Sequence, residues 1–162
     1  MTNSLLEKSS KQDTSPPAAI LQDTLDFTII EHSGVSNRIF DSSYKKCSLS
    51  SVEIDTLNFL LSEIVTNYNH MLRTRTNTKL GTKIEQIDLT NYKKQFFPAM
   101  NNKGEKIVFI YCISKNDIPY VENLKLDWRK EILLSRGISC FLSTYVVLGT
   151  KNHFKFRSKG IA

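Results

Sequence analysis

At 162 residues, with 40% hydrophobic and 23% charged side chains, the chain has the length of one ordinary domain and enough apolar content for a packed core. That composition excludes a wholly disordered chain. The formal net charge of +6 permits attraction to nucleic acid, anionic lipid or an acidic partner and specifies none of them.

Residues 1–19 are mostly Ser, Thr, Lys, Gln and Pro, with one Leu5-Leu6 pair, and end near Pro16-Pro17. Such a stretch buries too little apolar surface to offset its ordering entropy, so a flexible tail is expected there. A single α+β domain is expected over 20–162. No secretory apolar core opens the sequence, and no apolar run approaches the about 18 residues of a membrane span. As written, the chain reads as soluble and cytoplasmic, with export open if further residues precede it.

Leu25, Phe27 and Ile29 alternate with Asp26 and Thr28, which predicts a short strand. Gly34 marks a turn, and Arg38-Ile39-Phe40 reads as another short strand. Ser50 followed by Glu53 matches a capping box opening a helix over 50–73. Leu57, Leu60, Leu61, Ile64, Tyr68, Met71 and Leu72 recur on one helical face, with Glu63, Asn67 and His70 toward the other. Arg73 and Arg75 complement the dipole at its C-terminal end. At roughly 35 Å it should cross a sheet obliquely. Residues 74–83 read as a polar connector, and 84–89 as a short strand or a lead into the next element.

The chain is organised around residues 92–115, two strands joined at Asn101-Asn102-Lys103-Gly104, where Asn and Gly tolerate positive φ. Residues 107–113 run apolar without a polar break, the pattern of a central strand covered on both faces. The helix supplies one lid. The N-terminal strands, a second copy or a ligand supplies the other. Pro98 cannot donate to a ladder, so the first arm is expected to be an outer or irregular strand.

Residues 116–127, with Pro119, read as a loop. Residues 128–134 alternate, Ser135-Arg136-Gly137 reverses the chain, and 138–148 form the longest strand. Phe154 and Phe156 alternate with Lys155 and Arg157 in a final strand. The expected fold class is α+β: one long helix packed across a curved antiparallel meander of four to five strands.

Several local patterns recur together over 50–162. Ser50, Glu53 and Ile54 open the helix, Leu89-Thr90-Asn91-Tyr92-Lys93-Lys94-Gln95 enters a strand, and Asn102-Lys103-Gly104-Glu105-Lys106 precedes the aromatic-rich strand holding Cys112. Trp128-Arg129-Lys130-Glu131-Ile132, then Gly137, Cys140 and Phe141, then Gly160 and Ala162 complete the order. In this the chain resembles a family of small, uncharacterised bacterial α+β proteins, similar in shape to cystatin-like domains. The resemblance implies a helix gripped by a curved antiparallel sheet and brings no activity. The chain departs from the pattern at Ile113-Ser114, where another aromatic and a second cysteine are usual, and at Ser135-Arg136, where an acidic turn is common. A cystatin inhibitor's Gln-x-Val-x-Gly hairpin does not occur.

Nucleotide-binding glycine motifs, the H-E-x-x-H metal motif and the G-x-S-x-G nucleophile motif are all missing. The three cysteines, Cys47, Cys112 and Cys140, make neither a disulfide framework nor a zinc pattern, and His32, His70 and His153 are scattered. Cys112 and Cys140 sit in apolar runs and read as buried thiols, with a cross-strand disulfide as the alternative. Cys47 follows Lys45-Lys46, which favours its thiolate, though a plain loop residue is the simpler reading. Tyr92–Phe97 and Phe154–Arg157 interleave aromatics with cations; strand alternation accounts for both with aromatics inward, so nucleic-acid binding is not expected.

The leading expectation is a non-enzymatic interaction or binding module, for a protein partner or a second copy meeting it through the sheet. The alternative is a small-ligand-binding protein or acid–base enzyme with a pocket between helix and sheet, for which Tyr111, Asp127, Glu131 and Tyr145 are the candidate ligand-binding residues. No catalytic residue, metal or cofactor is assigned.

Overall fold

The computed structural model describes residues 26–30, 39–76, 86–130 and 141–159. The expected tail, Leu25, the Gly34 turn, Arg38, residues 131–134 including Glu131, the 135–137 reversal, residues 138–140 including Cys140, and the terminal Gly160 and Ala162 lie outside them. In chain order come β1 (Phe27–Ile29), β2 (Lys45–Lys46), α1 (Ser51–Thr76), β3 (Tyr92–Met100), β4 (Lys106–Ser114), α2 (Ile118–Asn123), β5 (Phe141–Val147) and β6 (Asn152–Lys159). Short 3-10 turns, Leu89–Asn91 and Lys115–Asp117, lead into β3 and α2.

The six strands form one sheet in the order β1-β3-β4-β5-β6, with β2 also pairing β3. The open sheet of the expectation is present. The four-to-five-stranded antiparallel meander of a cystatin-like fold is not, because β1 runs parallel to β3 and makes the sheet mixed. A parallel pair needs a crossover between its strands, and α1 lies in that connection. Nor is β3 an outer strand: it sits between β4 and the two short strands. Lys94 N–H donates to the Asp26 carbonyl, and the Phe96 carbonyl accepts from Ile30 N–H. Pro98, two residues on, faces that same edge. It falls in the gap between β1, which ends opposite Phe96, and antiparallel β2, which ends opposite Ala99. Its missing donor is therefore placed where no strand asks for one.

The capping box forms reciprocally. Ser50 N–H donates to Glu53 Oε2 at 2.8 Å, and Glu53 N–H donates to Ser50 Oγ at 3.3 Å. Leu57, Leu60, Leu61, Ile64 and also Val65 are buried against Phe96, Val108, Ile110, Cys112, Leu142 and Val146. Met71, assigned to the stripe, lies at its edge and is 36% exposed. Asn69 takes residue 87 as a backbone partner in both directions, at 2.8 and 2.9 Å, so Ile87 is pinned to the helix rather than built into a strand.

β4 is central and buried along Ile107–Ser114, as the unbroken apolar run predicts. Val108, Ile110 and Cys112 face α1. Ile107, Phe109, Tyr111 and Ile113 face a second apolar cluster on the opposite side. The chain itself covers that side. Ile39, Phe40 and Tyr44 pack there from the segment before β2, and Ile118, Val121, Leu126 and Trp128 from the segment after β4. The N-terminal part of this cover comes from a segment the sequence offered for it, and the part after β4 was not foreseen. Ile39 and Phe40 lie in a turn, not a strand, and the expected loop 116–127 contains α2, whose Pro119 sits at the helix start where a missing N–H costs nothing.

Candidate functional site

The β5–β6 hairpin departs from regular alternation at one point. The register shifts between Ser143 and Tyr145, and Lys155 opposite takes φ 55°. A bulge puts an extra residue on one strand and turns neighbouring side chains to the same side. Without it Phe154 and Phe156 would share a face. With it Phe156 joins the helix face, 4.9 Å from the Tyr68 ring. Phe154 stacks on Tyr145 on the opposite face, with centroids 5.0 Å apart and planes at 11°. The expectation that both aromatics turn inward therefore fails for Phe154, which is 39% exposed.

Tyr145 is a fixed base for that stack. Its hydroxyl donates to the Ile39 carbonyl at 2.9 Å. Phe109 and Phe40 press on the ring at 4.7 and 5.9 Å. The Lys155 ammonium stands 5.5 Å from the ring centroid, in cation–π range. Burial raises the Tyr145 pKa above the ordinary tyrosine value, and the positive charge of Arg157 acts in the opposite direction. Arg157 pairs across from Ser143 and Lys159 across from Phe141, so both project on this face. Lys151, His153, Lys155, Arg157 and Lys159 are all exposed. The ion pairs among the described residues engage Lys93, Lys106, Lys115, Arg129 and Lys130 instead.

The candidate residues read from the sequence are only partly brought together. Tyr111 and Tyr145 share a face and both touch Phe109, but it is the face opposite α1. A pocket between helix and sheet would include neither. Tyr111 is 1% exposed, and its hydroxyl has no hydrogen-bond partner among the described residues. Burial pushes its pKa well above the tyrosine range, and Asp117 and Cys112 push it the same way. Tyr111 lies in a polar row crossing the sheet, Thr28, Gln95, Tyr111, Ser143 and Arg157, each opposite the next. The segment above answers two of these groups. Thr28 Oγ1 donates to the Arg129 carbonyl at 3.0 Å, and the Gln95 amide donates to the Trp128 carbonyl.

Asp127 is committed to its own turn. Its Oδ1 accepts from Arg129 N–H at 2.9 Å and Nε at 3.1 Å, and its Oδ2 lies 3.5 Å from Lys130 Nζ. Burial raises its pKa, but the Arg129 hydrogen bonds and the nearby positive charges outweigh that and leave it lowered. The turn borders an open pocket of about 270 Å³ lined by residues 122 and 125–129. Glu131 lies outside the described residues. Cys112 is a free, fully buried thiol whose pKa burial pushes up to about 12. For Cys47 the basic-context argument is overturned: burial raises the thiol, Lys106 opposes it, and Glu53 adds to the rise, so the thiolate is disfavoured.

Among the described residues no three His, Cys, Asp or Glu side chains are placed to hold a metal ion. No helix there is long and apolar enough to cross a membrane. Comparison with family models, curated protein sequences and solved structures finds no match for this chain.

Proposed function

We propose that the chain is a non-enzymatic interaction module that holds an anionic partner on the β5–β6 face. One observation carries the reading: the charge of the molecule is segregated. Residues 132–162 contain Arg136, Lys151, Lys155, Arg157 and Lys159 and no Asp or Glu, leaving 17 cations against 16 anions in the rest of the chain. A surface of one sign focuses field on its partner and raises the rate of encounter with opposite charge. β6 presents that charge on an exposed outer strand. The same charge disfavours a second copy at this edge, since like cations would meet, and Lys on an outer strand blocks strand-to-strand pairing.

The test is binding to heparin, followed over a salt series. Wild type should bind at low salt and release as salt rises. Reversing Lys155, Arg157 and Lys159 to Glu should abolish retention. Reversing three exposed lysines elsewhere, Lys45, Lys103 and Lys125, should leave most of it. Equal loss in both triple variants would mean that only net charge matters, and the proposal would fail.

A further inference from the structure

Granting the anionic-partner reading, we infer that the partner is single-stranded nucleic acid, with a base stacked on the outer face of Phe154 and phosphates on Lys155, Arg157 and Lys159. Charge alone would suit an acidic peptide equally well. The aromatic geometry separates the two. An exposed ring lying parallel on a second ring, itself fixed by the Ile39 hydrogen bond, offers a flat π surface to solvent. A carboxylate chain has no use for such a surface, whereas every nucleobase has a complementary one. Duplex bases are already stacked on each other, so only an unpaired strand exposes the face needed.

The bulge makes the site. It moves Phe154 out of the helix-face core and brings Lys155 onto the same side as Phe154 and Arg157. Lys155 holds φ 55°, a conformation unfavourable for a residue with a side chain. An extended strand of eight residues spans roughly 26 Å, room for a few nucleotides laid along it.

The experiment measures fluorescence anisotropy of three labelled probes with the full chain: an oligothymidylate of about 12 nucleotides, an abasic phosphodiester of the same length, and polyglutamate. The base-bearing strand should bind roughly tenfold more tightly than the abasic one. Phe154→Ala should remove that advantage and leave abasic binding unchanged, and Phe154→Trp should restore it. Phe154→Leu, which keeps the apolar bulk without the π face, should behave as Phe154→Ala and guards against a folding artefact. Equal binding of all three probes, indifferent to Phe154, overturns the nucleic-acid inference and leaves the anionic-partner reading standing. Failure to bind any of them at low salt overturns both.

Discussion

A hydroxyl buried without a partner costs free energy, and that of Tyr111 finds none among the described residues. Tyr111→Phe removes the cost and keeps the ring. Urea unfolding should show the variant as stable as wild type or more so by up to about 1 kcal/mol; a loss above that would reveal a partner for the hydroxyl. Cys112 gives a second residue-scale prediction. Its thiol ionises near 9.0 when unperturbed and at about 12 when buried. The folded state keeps the proton longer, so this contribution is complete below the lower value and lost as pH rises toward the higher one. Cys112 alone should contribute a fall in stability of about 1.4 kcal/mol per pH unit across that window, read as the difference between wild type and Cys112→Ala. On the acid side Lys93 chiefly, with Lys115, lowers the Asp26 pKa against opposing burial. Asp26 therefore supports the fold fully above its ordinary carboxylate value, and that support is lost as pH falls below that value through the lowered one. Tyr111 and Tyr145 were legible as polar groups in apolar strands. Their surroundings were not, because which strand lies opposite which is a long-range fact absent from local pattern.

At the scale of elements, α1 begins where its capping box says, and the same carboxylate reaches further. Glu53 Oε1 accepts from Lys106 Nζ at 2.6 Å, tying the helix start to the first residue of β4. Ser50→Ala should cost about 1 kcal/mol in chemical denaturation. Leu61, fully buried against the sheet, should cost roughly 2–5 kcal/mol as Ala. Lys151 takes φ 57° at the β5–β6 turn, so Lys151→Gly should stabilise by about 1 kcal/mol. Helix, central strand and the Gly104 turn were legible because each is written in short-range spacing. The parallel entry of β1 was not, since three residues carry no direction. Nor was the bulge, which depends on Lys155 adopting a backbone state its sequence does not advertise.

For the whole molecule, the sheet face left open to the N-terminal strands, a second copy or a ligand is covered by the chain itself. Residues 39–44 and 118–128 cover the side of β4 opposite α1. Light scattering at high protein concentration should therefore give the mass of one chain, and a stable dimer would mean that another surface is in play. What the molecule does present is a cationic, aromatic-bearing edge on an otherwise nearly balanced chain. Composition reported the total charge, while only the fold revealed that β6 gathers its share on one face with Phe154.

The most direct test is where a bound strand leaves its mark. Titrating the isotopically labelled protein with the oligothymidylate and following amide chemical shifts should perturb residues 143–147 and 152–159 first and most strongly. Perturbations centred instead on the Asp127–Arg129 turn or on the outer face of α1, with β6 silent, would contradict the account.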